Sequence, residues 1–100
     1  MAKKIIVYWR DIPAQVIIQR GRARDKIQLS HRFQEAIDRA AMRAGKGGSD
    51  AYIEEWRRET TQISNVEDAL ALATAEAEQI ENSFTDEQLL QLIRNHGAAE

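Results

Sequence analysis

The densest charged stretch in this sequence is Arg20-Gly21-Arg22-Ala23-Arg24-Asp25-Lys26, with four cations in seven residues. Guanidinium groups at that spacing, on a strand or an exposed loop, can grip phosphate or carboxylate groups, the arginines bidentately. The competing reading is a solvated sheet edge, where basic side chains prevent strand-to-strand aggregation. Tyr8, Trp9 and Trp56 would serve such a surface as stacking residues for single-stranded nucleic acid. They also sit in apolar runs, which reads as core.

Other chemistry is thinner. His31 and Glu35 are one helical turn apart, but no second histidine is near, and a metal site needs three or four converging ligands. Glu54, Glu55 and Glu59 flank Arg57 and Arg58, so surface ion pairing accounts for them without acid–base catalysis. No Gly-x-Ser-x-Gly or Cys/His arrangement is present. Lys46-Gly47-Gly48-Ser49 lacks phosphate-loop spacing and reads as a loop between helices, with a helix start that can receive an anion. No catalytic residue, metal or cofactor is implied.

Composition bounds the rest. The chain has 100 residues, 43% hydrophobic and 30% charged, with no cysteine, one proline and a net charge of −2. That is the length of one domain, with one modest core and no disulfide or zinc ribbon to staple it. No apolar run approaches the ~20 residues that span a bilayer, and a cytoplasmic setting is expected. The charge is divided. Up to Arg58 there are 13 basic residues against seven acidic, a surplus of +6; from Glu59 onward one basic residue faces nine acidic, or −8. Such asymmetry points to an anion-binding or partner surface, or to two halves that neutralise one another when folded.

The elements follow from periodicity. Residues 3–10 are β-branched and aromatic, with Ile5, Val7 and Trp9 on one face and Ile6 and Tyr8 on the other. This predicts a strand covered on both sides. After Asp11-Ile12-Pro13, residues 14–20 predict its hairpin partner. Residues 22–29 either extend the ribbon or form an exposed loop. Ser30 is the expected cap of a helix whose Phe33, Ile37, Ala40, Ala41 and Ala44 share a face. Gly45 ends it, and Ser49 is expected to cap a short second helix through Tyr52, Ile53 and Trp56, with Glu54 one turn before Arg58. Residues 59–64 suggest a third strand. Asn65 is the expected cap of a long helix with the stripe Val66, Leu70, Ala73, Ala77, Ile80 and Phe84. That stripe reads as core, or else as a pairing seam with a second copy. Thr85-Asp86-Glu87-Gln88 is a capping box, with Phe84 and Leu89 as its staple and Leu89, Leu90 and Ile93 as the buried stripe. The whole predicts one α+β domain over residues 1–100: an N-terminal antiparallel hairpin packed by four helices, with residues 65–97 as an acidic helical part.

Three pieces carry a family resemblance: Ile6-Val7-Tyr8-Trp9-Arg10-Asp11-Ile12-Pro13-Ala14-Gln15-Val16; Phe33 with the run from Glu35 to Gly45; and Asp50-Ala51-Tyr52-Ile53-Glu54-Glu55-Trp56-Arg57-Arg58. Together they resemble the small "virulence factor" domain, which also occurs fused at the C-terminus of the bacterial conserved virulence factor C. The resemblance spans residues 4–58 and leaves the acidic tail outside. It implies an accessory or small-subunit role beside folate- and corrinoid-dependent methyl-transfer enzymes, with Tyr8, Trp9, Arg10 and Asp11, and Arg57 and Arg58, as the matched positions of interest.

The expected function is therefore a non-catalytic accessory protein docking on a partner enzyme. Its anion- or partner-binding set is Arg10, Arg20, Arg22, Arg24, Lys26, Arg57 and Arg58, with Tyr8 and Trp9 for stacking. The alternative is a nucleic-acid binder using the same basic hairpin.

Overall fold

The computed structural model describes residues 2–45, 48–64 and 67–98. In chain order the elements are β1 (Ala2–Trp9), β2 (Ile12–Arg20), β3 (Ala23–Gln28), α1 (His31–Arg43), α2 (Ser49–Glu54), β4 (Trp56–Ile63), α3 (Ala69–Ser83) and α4 (Asp86–Arg94). The strands form one antiparallel sheet in the order β3-β2-β1-β4. The two most apolar strands, β1 and β2, take the interior, and the polar strands β3 and β4 take the edges.

The fold is α+β, as expected, with the hairpin enlarged to a four-stranded sheet. Residues 23–28 extend the ribbon. The expected third strand also forms, but it begins at Trp56 and pairs with β1 on the far side from β3. Trp56, Arg57 and Arg58 therefore belong to a strand, not to the second helix. α2 stops at Glu54, and the expected one-turn pair Glu54–Arg58 does not exist on it.

Helices cover one face of the sheet. α3 lies on β2 and β3, α1 on β2, and α4 on α1. The main core joins Trp9, Ile12, Val16 and Ile18 to Phe33 and Ile37 of α1, Ala69, Ala73 and Ala77 of α3, and Leu89, Leu92 and Ile93 of α4. Alanines at the contact faces of α1 and α3 let the backbones approach closely. Fully burying a side chain such as Phe33 or Ile37 stabilises the fold by about 2–3 kcal/mol. The stripe on α3 is rotated from the expected one: Ala69 replaces Leu70, which is 51% exposed. On α4, Leu92 rather than Leu90 is buried with Leu89 and Ile93.

Caps agree in part. Thr85 and Gln88 form the reciprocal capping box. Asp68, not Asn65, caps α3, its carboxylate accepting from the Ala71 amide. Asn65 and Val66 lie outside the described residues. Ser30 occupies the cap position of α1, yet its hydroxyl donates to Glu81 instead of capping. Gly48 is the cap of α2, with Ser49 its first helical residue.

The β1–β2 ladder carries one irregularity. Val7 faces Gln15, but Tyr8 faces Pro13, so β2 has one extra residue, Ala14, across this step. Ile5 and Val7 remain in a small cluster with Ile17 on the sheet's other face, whereas Trp9 packs into the main core. Simple alternation places all three together. The register slip and the strand's end separate them.

Candidate binding surface

On the sheet face opposite α1 and α3, which we call the open face, no helix residue among the described residues joins the buried cluster of Ile5, Val7 and Ile17, and Trp56 packs against it. Pairing register sets the residues around it in three rows across β3, β2, β1 and β4. They are Gln28, Gln15, Val7 and Arg58; Lys26, Ile17, Ile5 and Thr60; and Arg24, Gln19, Lys3 and Gln62. Four of these positions are cations, five carry amides or a hydroxyl, three are aliphatic and none is acidic. Lys3, Arg24, Lys26 and Arg58 are exposed, and none has an ion pair or hydrogen bond among the described residues. Beyond the first row, Trp56, Arg57, Arg58, Gln15 and Val7 line a shallow recess of about 320 Å³. The pleat explains why the cations gather: residues two apart on a strand share a face, so Arg24 joins Lys26.

The β1–β2 turn presents the opposite situation. Arg10 has φ 53° there, and its guanidinium donates to the His96 carbonyl at 2.9 Å and to Glu55 at 3.1 Å. Arg57 donates to the Arg10 carbonyl at 2.8 Å, to Asp11 at 3.1 Å and to Glu59. Each cation also lies over a ring, Arg10 over Trp9 and Arg57 over Tyr8. Hydrogen bonding to Glu59 raises the Arg57 pKa, and it stays charged. Burial, reinforced by Glu59, raises that of the Tyr8 hydroxyl against the opposing pull of Arg57. Gly97 closes the cluster. Its carbonyl accepts from the Asp11 amide at 2.9 Å, and a Cβ there would stand 2.8 Å from the Trp9 ring.

The basic set expected from sequence is thus divided. Arg24, Lys26 and Arg58 share the open face, joined by Lys3, which the sequence reading misses although its two-residue spacing from Ile5 carries the signal. Arg10 and Arg57 are bound up in the turn. Arg20, at the end of β2, donates to the Glu67 carbonyl. Arg22 lies exposed in the β2–β3 turn, outside the rows. Trp9 is fully buried, with Nε1 donating to the Tyr52 carbonyl, and has no surface to offer a base. Tyr8 is half-buried on the opposite face, under Arg57.

Elsewhere the features are ordinary. His31 and Glu35 sit 3.9 Å apart and exposed. Among the described residues no three His, Asp or Glu gather as a metal site, and no helix is long and apolar enough to cross a membrane. A recess of about 630 Å³ is an open cleft whose lining includes Phe84, Gln88, Leu92 and Arg94, away from the basic face.

The antiparallel sheet thus has one helix-covered face and, opposite it, a face carrying cations with no partner among the described residues. A family model described as "Virulence factor" matches residues 7–93, and the chain belongs to that family. The match runs through α3 and most of α4, so the acidic helices are part of the family pattern, not an appendage beyond residue 58. Comparison with curated proteins and with solved structures returns no match.

Proposed function

We propose that this chain is a non-catalytic accessory module, acting in the cytoplasm, that holds an anionic macromolecule against the open face of its sheet. One observation supports this above the others: twelve neighbouring positions on that face include four exposed cations, none paired among the described residues, and no carboxylate. A net charge of −2 makes such a concentration of one sign a local feature, not a consequence of overall composition. Two occupants meet that chemistry. One is the acidic surface of a partner enzyme, with the folate- and corrinoid-dependent class as the first to try. The other is a nucleic-acid strand.

The test is retention on a sulfated polyanion column. Arg24→Glu with Arg58→Glu should elute at much lower salt than the parent. Arg39→Glu with Arg43→Glu, the same charge change on exposed α1 positions, should shift elution far less. Equal shifts for the two double variants would mean that net charge, not this face, governs binding.

A further inference from the structure

Resting on that reading, we infer that the anionic partner is a single-stranded nucleic acid, with one base seated in the recess beside Trp56. Three observations favour a strand over an acidic protein. First, the aliphatic centre of the face is sealed: Ile5, Val7 and Ile17 are 5%, 8% and 1% exposed. A stable protein–protein interface wants an apolar, desolvated core, and this face has little apolar surface left to give.

Second, the polar residues around that centre are of the kind that reads bases. Gln15, Gln28 and Gln62 each present a donor and an acceptor, Gln19 does so with one of its two donors already given to the Gly21 carbonyl, and Thr60 adds a hydroxyl. Single-stranded recognition combines cations that track the backbone with amide and hydroxyl groups on base edges.

Third, the recess brings together the parts one nucleotide needs. Trp56 supplies an aromatic wall, held edge-to-face against Tyr52 at 5.7 Å between centroids. Gln15 lines the same recess and can meet a base edge, and Arg58 can meet the adjoining phosphate. Arg57 also lines it but is held by Asp11 and Glu59, so Arg58 is the cation available to the ligand. Strand spacing makes the three-by-four array about 14 Å on a side. That spans a few nucleotides. The broad four-stranded face offers no helix or two-stranded ribbon to enter a duplex groove, so the single strand is the form that fits.

The experiment measures fluorescence anisotropy of the intact chain with three labelled probes: a ten-nucleotide single strand of mixed sequence, the same sequence as a duplex, and polyglutamate of matched charge. The single strand should bind tightest. Four phosphate contacts predict a slope near −3 in log affinity against log salt, from about −0.7 per contact. Lys26→Glu with Arg58→Glu should weaken binding at least tenfold. Because Trp9 is fully buried, quenching of tryptophan fluorescence on binding should come from Trp56. Trp56→Phe should abolish the quenching and keep measurable anisotropy, and Gln15→Ala should weaken the single strand more than the duplex. Binding of polyglutamate with no response to either nucleic acid would overturn this inference and leave the anionic-partner reading standing. No binding of any probe would overturn both. A duplex bound as tightly as the single strand would overturn the assignment to single strands, and strand binding without quenching would overturn the seat at Trp56.

Discussion

Arg57 and Arg58 are neighbours in sequence and belong to different parts of the molecule. Arg57 turns toward the β1–β2 turn, where carboxylates, carbonyls and a tyrosine ring hold it. Arg58 turns to the open face, where no described residue pairs with it. Arg10 stands with the first and Arg24, Lys26 and Lys3 with the second. A cation whose hydrogen bonds are already made within the fold contributes to stability. A group of one sign left without partners is available to something outside. For Arg57 and Arg58 the pleat begins this division by sending alternate side chains to opposite faces, and partners brought in from elsewhere in the chain complete it.

Substitutions at the turn should cost stability, and those on the face should cost binding. The largest effect is expected at Gly97, whose φ is 89° and whose missing Cβ makes room for Trp9. Gly97→Ala should lower unfolding free energy by about 2–3 kcal/mol in urea titration, from overpacking against a rigid ring and a left-handed backbone. Arg10→Ala should cost about 1–2 kcal/mol by the same measurement, because it strips partners from Glu55 and the His96 carbonyl. Thr85→Ala, remote from both regions, should cost about 1 kcal/mol through the capping box and sets the scale. Arg24→Glu with Arg58→Glu should change unfolding free energy by less than about 0.5 kcal/mol while lowering the salt at which the chain leaves a polyanion column. If that variant unfolds as readily as Arg10→Ala, the contrast between the two regions fails.

The smallest effect concerns pH. The Tyr8 hydroxyl titrates above its ordinary 10.0, chiefly from burial and then from Glu59. The folded state therefore holds this proton more tightly than the unfolded chain. Its contribution is intact below the ordinary value and is lost as pH rises through the folded one. Between about pH 9 and 11, Tyr8→Phe should show a shallower fall in urea midpoint than the parent.

Much of this architecture is legible in the sequence because local signals agree. Thr85 to Gln88 specify a helix start, and Ile5 to Trp9 specify an interior strand. What escapes depends on long-range register. Trp56 to Arg58 read as a continuation of the second helix because aromatic and charged residues are tolerated in either state, and pairing with β1 decides for strand. Leu70 fits the core by a four-three spacing, but once α3 lies on β2 and β3 the contact is made by Ala69, Ala73 and Ala77, four residues apart. The basic patch is visible as composition around residues 20–26. Its division is not, since whether an arginine has a partner depends on Glu55, Asp11 and His96, which are brought to it from elsewhere in the chain.

The bond from the Asp11 amide to the Gly97 carbonyl ties together residues 86 positions apart. Contacts of such separation form late, because most of the chain must already be ordered before they contribute. During synthesis the hairpin can emerge and pair well before that tie exists, leaving Trp9 without the residue that closes over it. A nascent chain stalled anywhere short of residue 97 would present an indole for chaperones or aggregation to find. Tyr52 and the core can pack on it earlier, but the last of its cover is a glycine translated almost ninety codons after the tryptophan.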